Sequence, residues 1–221
     1  MTTSPSSTAP LVIRPSMEGD IPAIQQIYEH AVLHGTGTFE TDVPDRAEMA
    51  RRRTEVLSRS LPYLVAERDG QVLGYAYANY FRPRLAYRYF VEDSIYLSPQ
   101  AQGQGIGRLL LAELIARCEA AGARQMIAVI GDSQNQGSIG VHKTLGFEQN
   151  GVLKSAGWKF GRWLDVVMMQ RQLGQGDTTS PTASPAAAPA QTATASTPTA
   201  SATSATPATP ATPAADPAPT A

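Results

Sequence analysis

Between a strand-like run and a long apolar helix the chain carries Gln102-Gly103-Gln104-Gly105-Ile106-Gly107, three glycines on alternate positions. Glycine at that spacing removes side chains where something must press against the backbone. It also leaves amide N–H groups pointing outward at a helix N-terminus, which is a receptor for phosphate. The upstream run, Phe90 to Leu97, reads as a strand, and apolar residues recur at helical spacing from Ile106 to Ala121. Strand, glycine loop and helix stand in the order of a pyrophosphate site. A P-loop would end its glycine run in Gly-Lys-Ser/Thr, but Gly107 is followed by Arg108-Leu109. A dinucleotide fingerprint would place its third glycine where Arg108 stands and an acidic residue about twenty positions further on, yet Ala123 to Ile130 holds no carboxylate. What remains is Gln-x-x-Gly-x-Gly on Gln102, Gly105 and Gly107. A plain glycine-rich helix entry has the same outline.

Two further segments narrow the choice. Downstream lies Asn135-Gln136-Gly137-Ser138-Ile139-Gly140-Val141-His142-Lys143-Thr144-Leu145-Gly146-Phe147, separated from the glycine loop by a helix and by the apolar strand Met126 to Ile130. An Asn, a small residue three positions on, a His at the seventh position and a closing Gly-Phe accompany the glycine loop. In this combination the chain resembles the GNAT acetyltransferases, which bind acetyl-coenzyme A. The run Ala156-Gly157-Trp158-Lys159-Phe160-Gly161-Arg162-Trp163-Leu164-Asp165-Val166 looks like the C-terminal signature of the phosphinothricin and methionine sulfone N-acetyltransferases. The resemblance spans Leu11 to Leu173.

Charge and cysteine content set the class of partner. The 221 residues carry a formal net charge of −1, and beyond Leu173 only Asp177 and Asp216 are charged, which leaves +1 on residues 1–173. No cluster of Lys and Arg points to nucleic acid or a membrane surface, so a small-molecule amine is the expected partner. The single cysteine, Cys118, excludes an intrachain disulfide and fits a reducing, cytoplasmic setting. It falls on the apolar stripe with Leu110 and Leu114, as a core residue does. No apolar run approaches a membrane span, and Met1 to Pro10 lacks the regions of a signal peptide. His30 and His34 have the spacing of a metal pair but no evident third ligand, so no metal is expected.

The expected architecture is one α/β domain with a mixed sheet over residues 11–173, preceded by a flexible 1–10 and followed by a 174–221 tail. In that tail Ala, Thr, Ser and Pro nearly exhaust the composition and disorder is expected. A strand at Leu11 to Arg14 leads to a helix with Asp20 as cap and Pro22 in its first turn. A second helix covers Asp45 to Ser58. Tyr63 to Glu67 and Val72 to Ala78 form a hairpin across Asp69-Gly70. The Phe90 strand, the helix after the glycine loop, the Met126 strand, the Asn135 helix and a terminal hairpin complete the domain.

The resemblance implies residue roles as well. Acetyl transfer to an amine needs a base, because an ammonium has no lone pair. The family position falls on Glu92, in Glu-x-Ser-x-Tyr, acting through water. Strand alternation sends Glu92, Ser94 and Tyr96 to one face and Asp93, Ile95 and Leu97 to the other, where the apolar pair can pack. A surface carboxylate paired with an arginine is the plainer reading of Glu92. Backbone amides at Ile95, Tyr96 and Leu97 are the expected oxyanion and coenzyme contacts. Gln102, Gly103, Gln104, Gly105, Ile106, Gly107 and Arg108 are expected at the pyrophosphate, with Asn135 and Ser138 along the pantetheine. His142 is expected to protonate the departing thiolate or to take the amine proton. Phe39, Arg82, Arg84 and Tyr87 are expected to line the acceptor site, arginine being suited to carboxylate, phosphinate and sulfonyl oxygens. A core Phe and a solvated basic loop are the alternatives for these four. The resemblance implies a homodimer, with phosphinothricin, methionine sulfone or methionine sulfoximine as acceptor. Two other functions stay open: acetylation of a protein N-terminus or another amine, and a sensor that holds acyl-coenzyme A without turnover.

Overall fold

The computed structural model describes residues 9–181. Strands β1 (Val12–Pro15), β2 (Tyr63–Arg68), β3 (Gln71–Tyr80), β4 (Phe90–Leu97), β5 (Gln125–Gly131), β6 (Glu148–Lys159) and β7 (Arg162–Gln172) form one sheet in the order β1-β2-β3-β4-β5-β7-β6. All pairings are antiparallel except β4 with β5, which run parallel and are joined through a helix. The mixed α/β expectation holds; β4 has the predicted limits, β1 is shifted by one residue, and β2, β3 and β5 run one to three residues longer than predicted.

Helices α1 (Ile21–His34) and α2 (Arg46–Ser58) pack on one face, and α3 (Ile106–Ala120) and α4 (Gln136–Thr144) on the other. Leu110, Leu111, Leu114 and Cys118 of α3 are fully buried, so the cysteine is a core residue. On the α1/α2 face Tyr63, Tyr75, Tyr77 and Tyr96 stack across adjacent strands, and Tyr28 of α1 meets the Tyr96 ring edge-on at 4.9 Å. The hairpin turn falls at Asp69-Gly70 as predicted, both residues having positive φ (52° and 73°), the geometry that matches the twist of two antiparallel strands.

Two local expectations change. Asp20 stands at the N-cap of α1, with Pro22 in the first turn, but its side chain does not cap that helix. Its carboxylate accepts the Met17 amide at 2.6 Å and takes a two-pronged contact from Arg14 at 2.7 and 2.8 Å. An arginine fork binds a buried carboxylate more strongly than a helix amide does, so it wins. The domain also continues past Leu173. Arg124 donates to the Gly176 carbonyl and the Thr179 hydroxyl, both at 3.1 Å, which ties the start of the presumed tail to the residue that precedes β5. The remainder of the tail, 182–221, and residues 1–8 lie outside the described residues. Among the described residues, no helix is long and apolar enough to cross a membrane.

Candidate active site

The site arises where two parallel strands part. Strand β4 pairs with β5 only from Phe90↔Gln125 to Asp93↔Ala128. Beyond Asp93 the strands diverge, so residues 94–97 keep β3 on one side and lose their ladder partner on the other. Between them opens a cavity of about 820 Å³ that runs from Glu92 past the glycine loop and α4. Because the strand edge is free there, both faces of β4 reach the cavity. Ile95 and Leu97, expected to pack away from Glu92, line it together with Tyr96.

At one end, Gly103 and Gly105 adopt φ of 73° and 77°, and a Cβ on either would meet no protein atom within 4 Å. Backbone conformation, not internal crowding, requires glycine there. Gly105 is the N-cap of α3, so the first amides of that helix have no acceptor within it and point into the opening. Gln102, Gly103, Gly105, Gly107 and Arg108 line the cavity. Gln104 and Ile106 do not. The Gln104 side chain turns away to the Gln100 carbonyl (2.6 Å) and Arg68 (3.3 Å), and Ile106 is 1% exposed in the core. Their contribution is confined to main-chain amides.

Along the cavity floor Asn135 caps α4, its Oδ1 accepting the Ser138 amide at 3.2 Å, and both residues face the opening. His142 lies one turn further on. It is 4% exposed, and its two ring nitrogens are committed: Nδ1 donates to the Ser138 carbonyl at 2.7 Å, and Nε2 meets Asp93 Oδ2 at 3.0 Å. Burial alone would lower its pKa, but the Asp93 carboxylate and the Ser138 carbonyl together raise it above 6.5. With both nitrogens engaged, the ring presents no free nitrogen to the cavity it borders. To exchange a proton with a ligand, the ring would first have to give up one of these two bonds. Asp93 is the residue that reading of the sequence missed. Alternation had placed it on the apolar face without a partner, and a lone histidine on the facing helix was the available signal.

Glu92 projects from the opposite face of β4. Burial pushes its carboxyl up from 4.5 to about 7, the neighbouring Asp93 charge adds to this, and Arg82 opposes it. No hydrogen bond or ion pair engages its side chain among the described residues, unlike the arginine-paired surface carboxylates of α2. A half-neutral, unpaired carboxyl beside a cavity is what a general base requires near neutral pH.

Phe39 lines the same cavity from the loop after α1, with Gly37 and Thr38. Arg82, Arg84 and Tyr87 do not line it. Arg82 is exposed and lies over the Phe81 ring at 4.5 Å, Arg84 starts a short 3-10 turn, and Tyr87 meets Phe81 edge-on at 5.9 Å. Only Arg82 acts on the site, through its charge on Glu92. A short loop held by its own aromatic contacts does not bend into the cavity. The His30 and His34 rings stand 4.8 Å apart, and no group of three or more candidate metal-binding side chains occurs among the described residues.

A parted β4/β5 pair with a glycine-capped helix at its mouth is the arrangement the glycine and Asn135 segments had suggested, and family comparison agrees. The Acetyltransferase (GNAT) family pattern matches residues 24–147. The chain belongs to that family. It is 57% identical over 169 residues to a phosphinothricin N-acetyltransferase of Alcaligenes faecalis, covering 76% of this chain and 86% of that protein. An L-methionine sulfoximine/L-methionine sulfone acetyltransferase of Salmonella typhimurium is 39% identical over 168 residues, covering 75% of this chain and 96% of its own. Among solved structures, a GNAT phosphinothricin acetyltransferase from Sinorhizobium meliloti in complex with AcCoA superposes with a TM-score of 0.77 at 50% identity, over 78% of this chain and 94% of that one. As a GNAT acetyltransferase this protein draws its acyl group from acetyl-coenzyme A.

Proposed function

We propose that this acetyltransferase is a cytoplasmic homodimer that moves acetyl from acetyl-coenzyme A to the α-amino group of a small amino-acid analogue of the phosphinothricin, methionine sulfone or methionine sulfoximine type. The observation that carries the proposal is Glu92, an unpaired carboxyl with a pKa near 7 at the point where β4 leaves β5. The names of the relatives supply the acceptor class.

In this reading the coenzyme diphosphate sits on the main-chain amides from Gly103 to Arg108 and the pantetheine passes between β4 and α4, beside Asn135 and Ser138. The thioester carbonyl then lies along the unladdered edge of β4, where an amide at Ile95 to Leu97 can meet the developing oxyanion. The acceptor ammonium loses its proton to Glu92 through water, and the amine attacks the carbonyl directly. His142, held by Asp93 and the Ser138 carbonyl, borders the same wall, and the departing thiolate takes a proton from solvent. Phe39 bounds the acceptor, and Arg82 stands at the rim near Glu92.

The dimer rests on the β6–β7 hairpin, where Leu153, Trp158, Phe160 and Trp163 are each at least half exposed. An aromatic patch of that kind on an edge strand is a surface for a second copy.

The test is thiol release from acetyl-coenzyme A against a panel of methionine sulfone, methionine sulfoximine, phosphinothricin, common amino acids and short peptides. Turnover of the small analogues supports the assignment. Turnover of peptides alone refutes the acceptor class, and coenzyme binding without any turnover refutes the enzyme reading in favour of a sensor.

A further inference from the structure

Strand β6 does not pair evenly with β7. Leu153 faces Val166 and Gly157 faces Leu164, so two extra residues of β6 bulge out between these pairs. The bulge is pinned by Asp165, which accepts the Ser155 amide at 3.1 Å and the Lys154 ammonium at 2.9 Å, with Ser155 at φ 51°. Beyond it, alternation turns Trp158 outward and Gly157 and Lys159 inward. Lys159 is only 5% exposed, although its neighbours in the hairpin, Trp158, Phe160 and Trp163, are among the most exposed apolar residues of the protein.

Among the described residues no carboxylate receives this buried ammonium. It donates instead to two main-chain carbonyls, of Gly35 at 2.9 Å and Thr38 at 2.8 Å. These bracket the loop that leaves the C-terminal end of α1, where a cation meets carbonyls left without helical partners. The same loop is seated by two absent side chains. A Cβ on Gly131 would collide with the Thr36 carbonyl oxygen, and a Cβ on Gly157 would collide with the Phe39 ring. The Tyr28 hydroxyl closes the set with a 2.9 Å bond to Thr38 Oγ1. Gly37, Thr38 and Phe39 thus form one wall of the cavity that Glu92 borders.

Lysine is rarely buried without a charged partner, and burial lowers the pKa of this one despite the opposing charge of Glu40. The ammonium is held there by the two loop carbonyls it serves, so its cost is tied to the position of that loop. We propose that Lys159 is a positioning residue for the acceptor, clamping the 35–39 loop so that Phe39 and Thr38 hold the amine opposite Glu92. The proposal rests on the acceptor reading above, and it assigns to the hairpin a role in substrate geometry in addition to any part in dimerisation.

Lys159→Met removes the donors and keeps the bulk of the stem. Three measurements on the full chain read the result: hydrogen exchange of the loop amides without acceptor, acetyl-coenzyme A affinity by calorimetry, and steady-state kinetics with an acceptor that the wild type uses. Expected are faster exchange confined to residues 36–39, coenzyme affinity within about twofold of wild type, and an acceptor KM raised by about tenfold, with kcat less affected. Lys159→Arg, which retains donors, should recover part of the KM. Unchanged loop exchange overturns the clamp. Faster exchange with an unchanged acceptor KM overturns the positioning role, as does a coenzyme affinity that falls in parallel with KM. If Lys159→Met does not fold, Lys159→Leu, which also lacks a donor, carries the same comparison. A wild type that acetylates no amine of the panel refutes the acceptor reading itself, whereas unchanged exchange in a protein that does turn over refutes only the clamp.

Discussion

Glu92→Gln separates catalysis from stability in one substitution. The wild-type carboxyl moves from 4.5 when exposed to about 7 in the folded protein, a difference worth roughly 3 kcal/mol at 1.36 kcal/mol per pH unit. Because the folded value is the higher one, the protonated form carries no such cost. The penalty begins as pH rises past 4.5 and is complete above about 7. Gln mimics the protonated acid at every pH. The variant should therefore match the wild type in urea denaturation near pH 4 and exceed it by up to roughly 3 kcal/mol at pH 8, less whatever solvent reaching the cavity relieves. Activity should move the other way. Loss of a general base costs about 10² to 10⁴ in kcat. In the wild type, kcat/KM should fall tenfold per unit of pH below about 7, and that limb should vanish in Glu92→Gln. The acceptor amine, titrating near 7.7–8.0 or above, adds a separate limb that the variant keeps. A variant that retains both its rate and the limb near 7 refutes the base assignment. One that loses activity without gaining stability at pH 8 refutes the claim that burial sets the pKa.

Asp93→Asn removes the carboxylate that pairs with buried His142 and, at a pH where the ring is charged, should cost about 3–5 kcal/mol by urea denaturation. His142 has its folded pKa raised, so its pairing with Asp93 stabilises fully below 6.5 and the contribution is lost as pH climbs through the raised value. The variant should lose that dependence, and an unchanged pH–stability curve would contradict the pair. Gly105→Val forces a branched side chain into φ 77° at the mouth of the cavity. Calorimetry should find acetyl-coenzyme A affinity down at least tenfold, and retained affinity would refute the diphosphate assignment. Truncation after Pro181 should leave Tm and turnover unchanged, whereas truncation after Leu173 removes the Arg124 contacts to Gly176 and Thr179 and should lower Tm by a few degrees. Equal melting of the two truncations would show that those contacts add nothing.

What the sequence determined by itself is the set of features written in local physics. Glycine at 103 and 105 is needed because of backbone conformation, and the periods of two and 3.6 mark β4 and α3 directly. Asn135 caps its own helix within three residues, so the glycine loop, its helix and the Asn135 segment were all legible from spacing. Glu92 was placed on the correct face by alternation, but its unusual acidity was not, since that depends on what surrounds it. Other features needed chain segments that are distant in sequence. Asp93 and His142 lie 49 residues apart, and Lys159 reaches carbonyls more than 120 residues earlier. The parting of β4 from β5 depends on how long the two strands stay paired, which no single strand records. Arg84 and Tyr87, whose chemistry suits an acceptor, stand outside the cavity lining, Tyr87 against the Phe81 ring, which no local pattern records. Local sequence fixes dihedral preference and face. The pairing, burial and protonation that make those faces into a site come only from the elements packed around them.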